Sequence, residues 1–115
     1  VQGIATDKYG IGYSGIGYMT SDVRAVALST ETGKNPAFVA AVPENAYTGE
    51  YPLARFLYLS VNYKPGSKLD DLRAEFVKYV FSKNGQEDVL KDGYFPVPAT
   101  VAREELKSVG ITPSF

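Results

Sequence analysis

Gly10-Ile11-Gly12-Tyr13-Ser14-Gly15-Ile16-Gly17-Tyr18 writes one four-residue block twice around a single serine. Four glycines in nine positions exclude a regular helix, because each costs about 1 kcal/mol against alanine in a helix interior. Glycine beside a short apolar run marks a close approach of backbone or ligand, so the stretch reads as a strand, Gly10 to Tyr13, entering a tight turn. The five-residue offset between the copies would send Ile11 and Ile16 to opposite faces of one continuous strand. A structural break between the copies follows, with Ser14 to Asp22 as turn.

Working outward, Val23 to Leu28 is a second apolar strand candidate, and Ser29 to Pro36 is a loop rich in polar residues, glycine and proline. Residues 1–8 read as the end of a helix, and Pro43 to Glu50 as one helical turn opened by its proline. Tyr51 to Asn62 is the longest strand signal, with Pro52 confined to its start or to an edge because it lacks a ladder donor. Lys64-Pro65-Gly66 ends it.

Residues 69–83 form the clearest helix pattern, with Leu69, Leu72, Phe76, Val77 and Val80 at helical spacing. Ser67 is the expected N-cap, Asp70 and Asp71 fall in the first turn, and Asn84-Gly85 supplies a left-handed stop. A short helix over 86–91, an extended segment Gly93 to Pro98 and a final amphipathic helix over 99–109, closed by Gly110 and Pro113, complete the reading. Strands followed by helices indicate an α/β chain with few strands plus amphipathic helices. Three strand candidates are too few to bury one another, so the expectation is an incomplete piece of a larger sheet.

Composition narrows the chemistry. The 115 residues include no cysteine and no histidine, which removes disulfides, thiolate nucleophiles, the usual zinc sites and His-based triads. Twelve basic against thirteen acidic residues give a net charge of −1 without a basic run, so a nucleic-acid partner is not expected. No apolar stretch has the length of a membrane helix.

Four blocks in order carry a resemblance. Gly10-Ile11-Gly12-Tyr13, Tyr51 to Tyr58, Phe81-Ser82-Lys83-Asn84-Gly85-Gln86 and Gly93-Tyr94-Phe95-Pro96-Val97-Pro98 resemble the ordered signature of phosphate-binding proteins. These are the extracytoplasmic solute receptors of phosphate ABC transporters, in the type II periplasmic-binding-protein superfamily. The resemblance covers nearly the whole chain, but only the C-terminal part of a two-lobed receptor. It implies that residues 1–50 belong to the second lobe, and that 51–115 pass through the hinge and return into the first. It further implies a periplasmic or extracytoplasmic location, inorganic phosphate and a membrane permease as partners, no cofactor, no metal and no catalysis.

The family's main anion contacts match no position here. Ser14-Gly15 is followed by Ile16 where the family's second-lobe motif has threonine. What the resemblance leaves to this chain is cleft wall, hinge and scaffold. Tyr13 and Ser14 stand at a strand end, the ligand side of open α/β sheets; in the related molybdate receptors a tyrosine at the matching place touches the oxyanion. The competing reading has the glycines permitting close packing, with Tyr13 filling the gap and Tyr18 packed. Arg55 is suited to a tetrahedral oxyanion, and equally to a solvated face or a carboxylate partner. Asp70-Asp71 and Glu104-Glu105 suggest either carboxylate chemistry or dipole-matched first helical turns.

Three alternatives to a phosphate receptor stay open: a receptor for molybdate or sulfate, a metal-dependent phosphate-handling hydrolase, and an interaction or scaffold module. In the last, a second copy or a missing N-terminal portion covers the incomplete sheet.

Overall fold

The computed structural model describes residues 1–115 as two compact units, Val1–Tyr58 and Leu59–Phe115. Five helices are present: α1 (Gln2–Ala5), α2 (Pro43–Thr48), α3 (Asp71–Val80), α4 (Lys83–Lys91) and α5 (Ala99–Ser108).

The strand expectations are not met within this chain. Residues 10–13, 23–28 and 51–62 form no ladder, and the sole β-type contact is an antiparallel bridge between Leu28 and Val39. Its two hydrogen bonds run from the Leu28 N–H to the Val39 carbonyl at 2.9 Å and back at 2.8 Å. A strand is defined by the neighbour that takes its backbone N–H and C=O groups. Residues 55–62 have apolar character but no backbone partner, so the α/β assignment reduces here to helices, loops and one bridge.

In the first unit no residue is buried. Its order comes from local devices. Pro43 opens α2 at a position where its missing N–H is not needed, and Gly49 closes it at φ 75°. The Tyr51 hydroxyl donates to the Val26 carbonyl at 3.2 Å, across 25 residues of chain. Gly10 and Gly12 let the backbone pass close to Ile4, whose side chain would lie 3.1 and 3.2 Å from a Cβ at either position. The second copy of the block becomes a 3-10 turn, Ile16–Tyr18, in keeping with the expected break.

The second unit has a core of Val77, Ala102, Leu106 and Ile111. Val61, Leu69, Ala74, Phe81 and Val109 pack around it while keeping some exposure. Helix α3 starts later than its pattern suggests, because Asp70, not Ser67, is the N-cap: the Asp70 carboxylate accepts from the Arg73 N–H at 3.1 Å. Ser67 is already engaged in a turn, its hydroxyl donating to the Lys64 carbonyl at 2.6 Å beside Gly66 at φ 80°. Only part of the α3 pattern faces the core: Val77 is buried, whereas Leu72 and Phe76 are 81% and 55% exposed.

Gly85 is not a stop. It lies inside α4 and is buried, and the Ser82 hydroxyl caps that helix by accepting from the Gly85 N–H at 3.1 Å. A Cβ there would stand 2.1 Å from the Tyr79 carbonyl oxygen, so glycine serves the tight α3–α4 junction. Helix α5 ends as expected at Gly110, φ 75°. The Gly110 N–H bonds the Lys107 carbonyl and the Ile111 N–H the Leu106 carbonyl, both at 3.0 Å, with Ile111 and Leu106 buried as the accompanying apolar contact. Glu104 and Glu105 fall in the middle of α5 rather than in its first turn, because the helix begins at Ala99.

Candidate functional site

The glycine-rich stretch places Ser14 in an open groove of about 600 Å³ in the first unit, with Val1, Gln2, Gly3, Tyr18 and Thr20 around it. Two local features build this wall. Helix α1 brings Gln2 and Gly3 to one side, and the 3-10 turn folds Tyr18 and the following Thr20 back toward Ser14. The lining offers hydroxyls from Ser14, Tyr18 and Thr20 and the amide of Gln2, and no acidic or basic side chain. Such a surface can donate neutral hydrogen bonds to an oxyanion and can equally accept them.

Tyr13 is not part of this lining. Its ring is 98% exposed, so it fills no packing gap. Arg55 does not join the groove either: its guanidinium donates to the Phe56 carbonyl at 3.2 Å and is exposed. Of the three singled-out residues, Ser14 alone reaches the groove. Sequence reasoning missed Thr20 and Gln2 as its companions, and the available signal was the polar Thr20-Ser21 pair directly after the second glycine block. Tyr18, read there as packing, lines the groove and is exposed.

The carboxylates have structural partners. Asp70 caps α3 and pairs with Arg73 at 3.2 Å, and no group of three or more Asp and Glu side chains is gathered where a metal ion would sit. In the second unit Asp88 accepts a 2.5 Å hydrogen bond from the Tyr79 hydroxyl and a 3.3 Å bond from Lys91. The Tyr79 bond, with Lys91 adding to it, holds the Asp88 carboxyl below its ordinary range, and the same bond pushes the Tyr79 hydroxyl upward. Gln86 links two segments: its amide donates to the Val80 carbonyl at 2.7 Å and accepts from the Val97 N–H at 2.8 Å. The second and fourth resemblance blocks thus differ in fate: 51–58 stays without ladder bonds, whereas Gly93 to Pro98 is pinned by a glutamine of the third block.

No family model matches the chain. It is 50% identical over 111 residues to the phosphate-binding protein PstS of Pseudomonas aeruginosa, an alignment that covers 96% of this chain and 34% of the relative. Identity is 29% over 107 residues to the phosphate-binding protein PstS 2 of Streptococcus agalactiae, covering 93% of this chain and 33% of that protein. The protein SphX of Synechocystis is 32% identical over 100 residues, covering 85% and 29%. These relationships define the class first: the homologues named for an activity are binding proteins, not enzymes. More particularly, the chain is homologous to a C-terminal portion of a PstS-like phosphate-binding protein. It spans about a third of the length of the curated relatives it matches.

Proposed function

We propose that this chain is part of the phosphate receptor of an ABC importer working outside the cytoplasm. The observation that carries the reading is the 50% identity to a phosphate-binding protein across 96% of the chain. Residues 1–50 then belong to the second lobe, and 51–115 cross the hinge and return to the first. Phosphate is held between the lobes, with Ser14 and its neighbours Tyr18 and Thr20 as one wall of the cleft. Tyr13 and Arg55 contribute to that wall only through the remaining portion of such a receptor, since neither meets Ser14 in the groove of this unit. The permease is the partner that receives the ligand, and the oxyanion is bound without chemical change.

Calorimetry tests this with two samples: the chain alone, and a chimera that joins it to the preceding two-thirds of the P. aeruginosa relative. Phosphate heat is expected from the chimera and none from the chain alone. A Ser14→Ala chimera is expected to bind about three- to tenfold more weakly, the worth of one hydrogen bond. A folded chimera that ignores phosphate, or that takes molybdate or sulfate in preference, overturns the reading.

A further inference from the structure

Of the asparagines Asn35, Asn45, Asn62 and Asn84, only Asn84 precedes a glycine. An Asn-Gly pair is the dipeptide most prone to spontaneous deamidation, because glycine has no side chain to hinder its own amide nitrogen and leaves the backbone free to turn. Packing fixes that glycine: a Cβ at Gly85 would lie 2.1 Å from the Tyr79 carbonyl oxygen and 2.9 Å from that of Val80. The fold also restrains the nucleophile. Asn84 and Gly85 are the second and third residues of α4, and the Gly85 N–H donates to the Ser82 hydroxyl oxygen at 3.1 Å, while that hydroxyl donates to the Tyr79 carbonyl at 2.7 Å. The Gln86 N–H bonds the Ser82 carbonyl at 2.9 Å and closes the same turn. The proton that must leave Gly85 before its nitrogen attacks is therefore the one Ser82 holds. The helical backbone at Asn84 meanwhile keeps that nitrogen turned away from the side-chain carbonyl carbon.

We propose that Asn84 is a site of spontaneous deamidation controlled by the Ser82 cap. When the first turn of α4 opens, the Gly85 nitrogen bonds to Asn84 Cγ, the Cγ–Nδ2 bond breaks, and ammonia departs with the proton that Gly85 gives up. Water then opens the resulting succinimide. Breaking its Cγ–N bond gives aspartate; breaking the bond to the original backbone carbonyl carbon gives isoaspartate, whose main chain is one methylene longer. The two products differ in fate. An aspartate at position 84 sits in the first turn of α4, where negative charge is favourable. An isoaspartate adds its methylene beside a glycine that has no room for a Cβ, so the Ser82 cap and the close approach to Tyr79 cannot both re-form. None of this depends on phosphate binding, since every group involved lies within residues 79–86 of the second unit.

The test follows the amide-to-acid mass change at Asn84 by peptide mass spectrometry, at mildly alkaline pH, in the folded chain and in the chain held in denaturant. Conversion is expected in both, ahead of the other asparagines. Folding is expected to slow it by the same factor, within about threefold, as it slows exchange of the Gly85 amide hydrogen, because both need the same opening. That comparison needs no variant. Ser82→Ala is expected to speed conversion about fivefold, the loss of one helix cap, and Ser82→Thr to keep the slow rate. Asp70→Ala removes the cap at the far end of α3 and is expected to leave the rate within about twofold, because the opening is local. Equal rates in the folded and denatured chains overturn the proposal, as does an Asn84 that stays intact in denaturant. So do a Gly85 protection that departs from the slowing, an acceleration by Asp70→Ala equal to that by Ser82→Ala, or an isoaspartate product that keeps Gly85 protected.

Discussion

Gly85 sits so close to Tyr79 that a Cβ on the glycine would lie 2.1 Å from the tyrosine carbonyl oxygen and 2.9 Å from that of Val80. Both obstacles are backbone, which cannot swing aside as a side-chain tip can. Gly85→Ala is therefore expected to destabilise the second unit by about 1–3 kcal/mol through overpacking. Gly3→Ala, where nothing stands within 4 Å of the added carbon, is the control and is expected not to destabilise. Thermal unfolding measures both, and equal melting temperatures for the two variants would refute the packing argument.

Gln86 joins the end of α3 to the segment before α5 through one amide. Gln86→Ala removes both bonds from a partly buried place and is expected to cost about 1–3 kcal/mol. Gln86→Glu keeps the oxygen that accepts from Val97 but loses the donor to Val80. Exchange of the Val97 amide separates the two effects: it is expected to accelerate in the alanine variant and to stay slow in the glutamate variant.

The bond between Tyr79 and Asp88 has a pH window. Asp88 titrates below its ordinary 3.8, held there first by the tyrosine hydroxyl and then by Lys91. A depressed carboxylate lends stability that is complete above its unfolded value and disappears as pH falls through its folded one. Tyr79 titrates above its ordinary 10.0 because its hydroxyl donates to Asp88. Its contribution is complete below 10.0 and is lost as pH rises through the folded value. The α3–α4 clasp is thus expected to loosen at both extremes, modestly, since it is exposed to solvent. Tyr79→Phe should let the Asp88 carboxyl rise toward its ordinary range, as read by its side-chain carbon chemical shift against pH. An unchanged Asp88 titration would sink this account.

What the sequence makes legible is what local chemistry decides. Proline at the start of α2, glycine past the end of α5 and the apolar spacing of Val77, Ala102 and Leu106 each act within a few residues. Two of the misread signals in the helical region are local signals with a stronger competitor. Ser67 is a good cap, but its hydroxyl is taken by the turn at Lys64, which leaves Asp70 to cap. Asn84-Gly85 has the letters of a helix stop, but the glycine is required by steric closeness, not by a left-handed backbone. Strands were less legible for a different reason: Leu57 and Leu59 have strand character, yet pairing depends on a neighbour. In the groove, Ser14 follows from the glycine pattern, whereas Gln2 joins it from α1 and Thr20 from the chain after the 3-10 turn, placements that no spacing rule specifies.

The bridge between Leu28 and Val39 encloses residues 29–38, whose two ends are joined by a pair of backbone hydrogen bonds and whose interior touches little. Closing a loop grows costlier only slowly with its length, about 0.6 kcal/mol for each doubling. The exposed tip from Thr30 to Asn35 is consequently the natural place in this chain to insert a fluorophore-bearing peptide or an affinity tag. An insertion there would report on the molecule while leaving the Ser14 groove and the Val77 and Leu106 core as they stand.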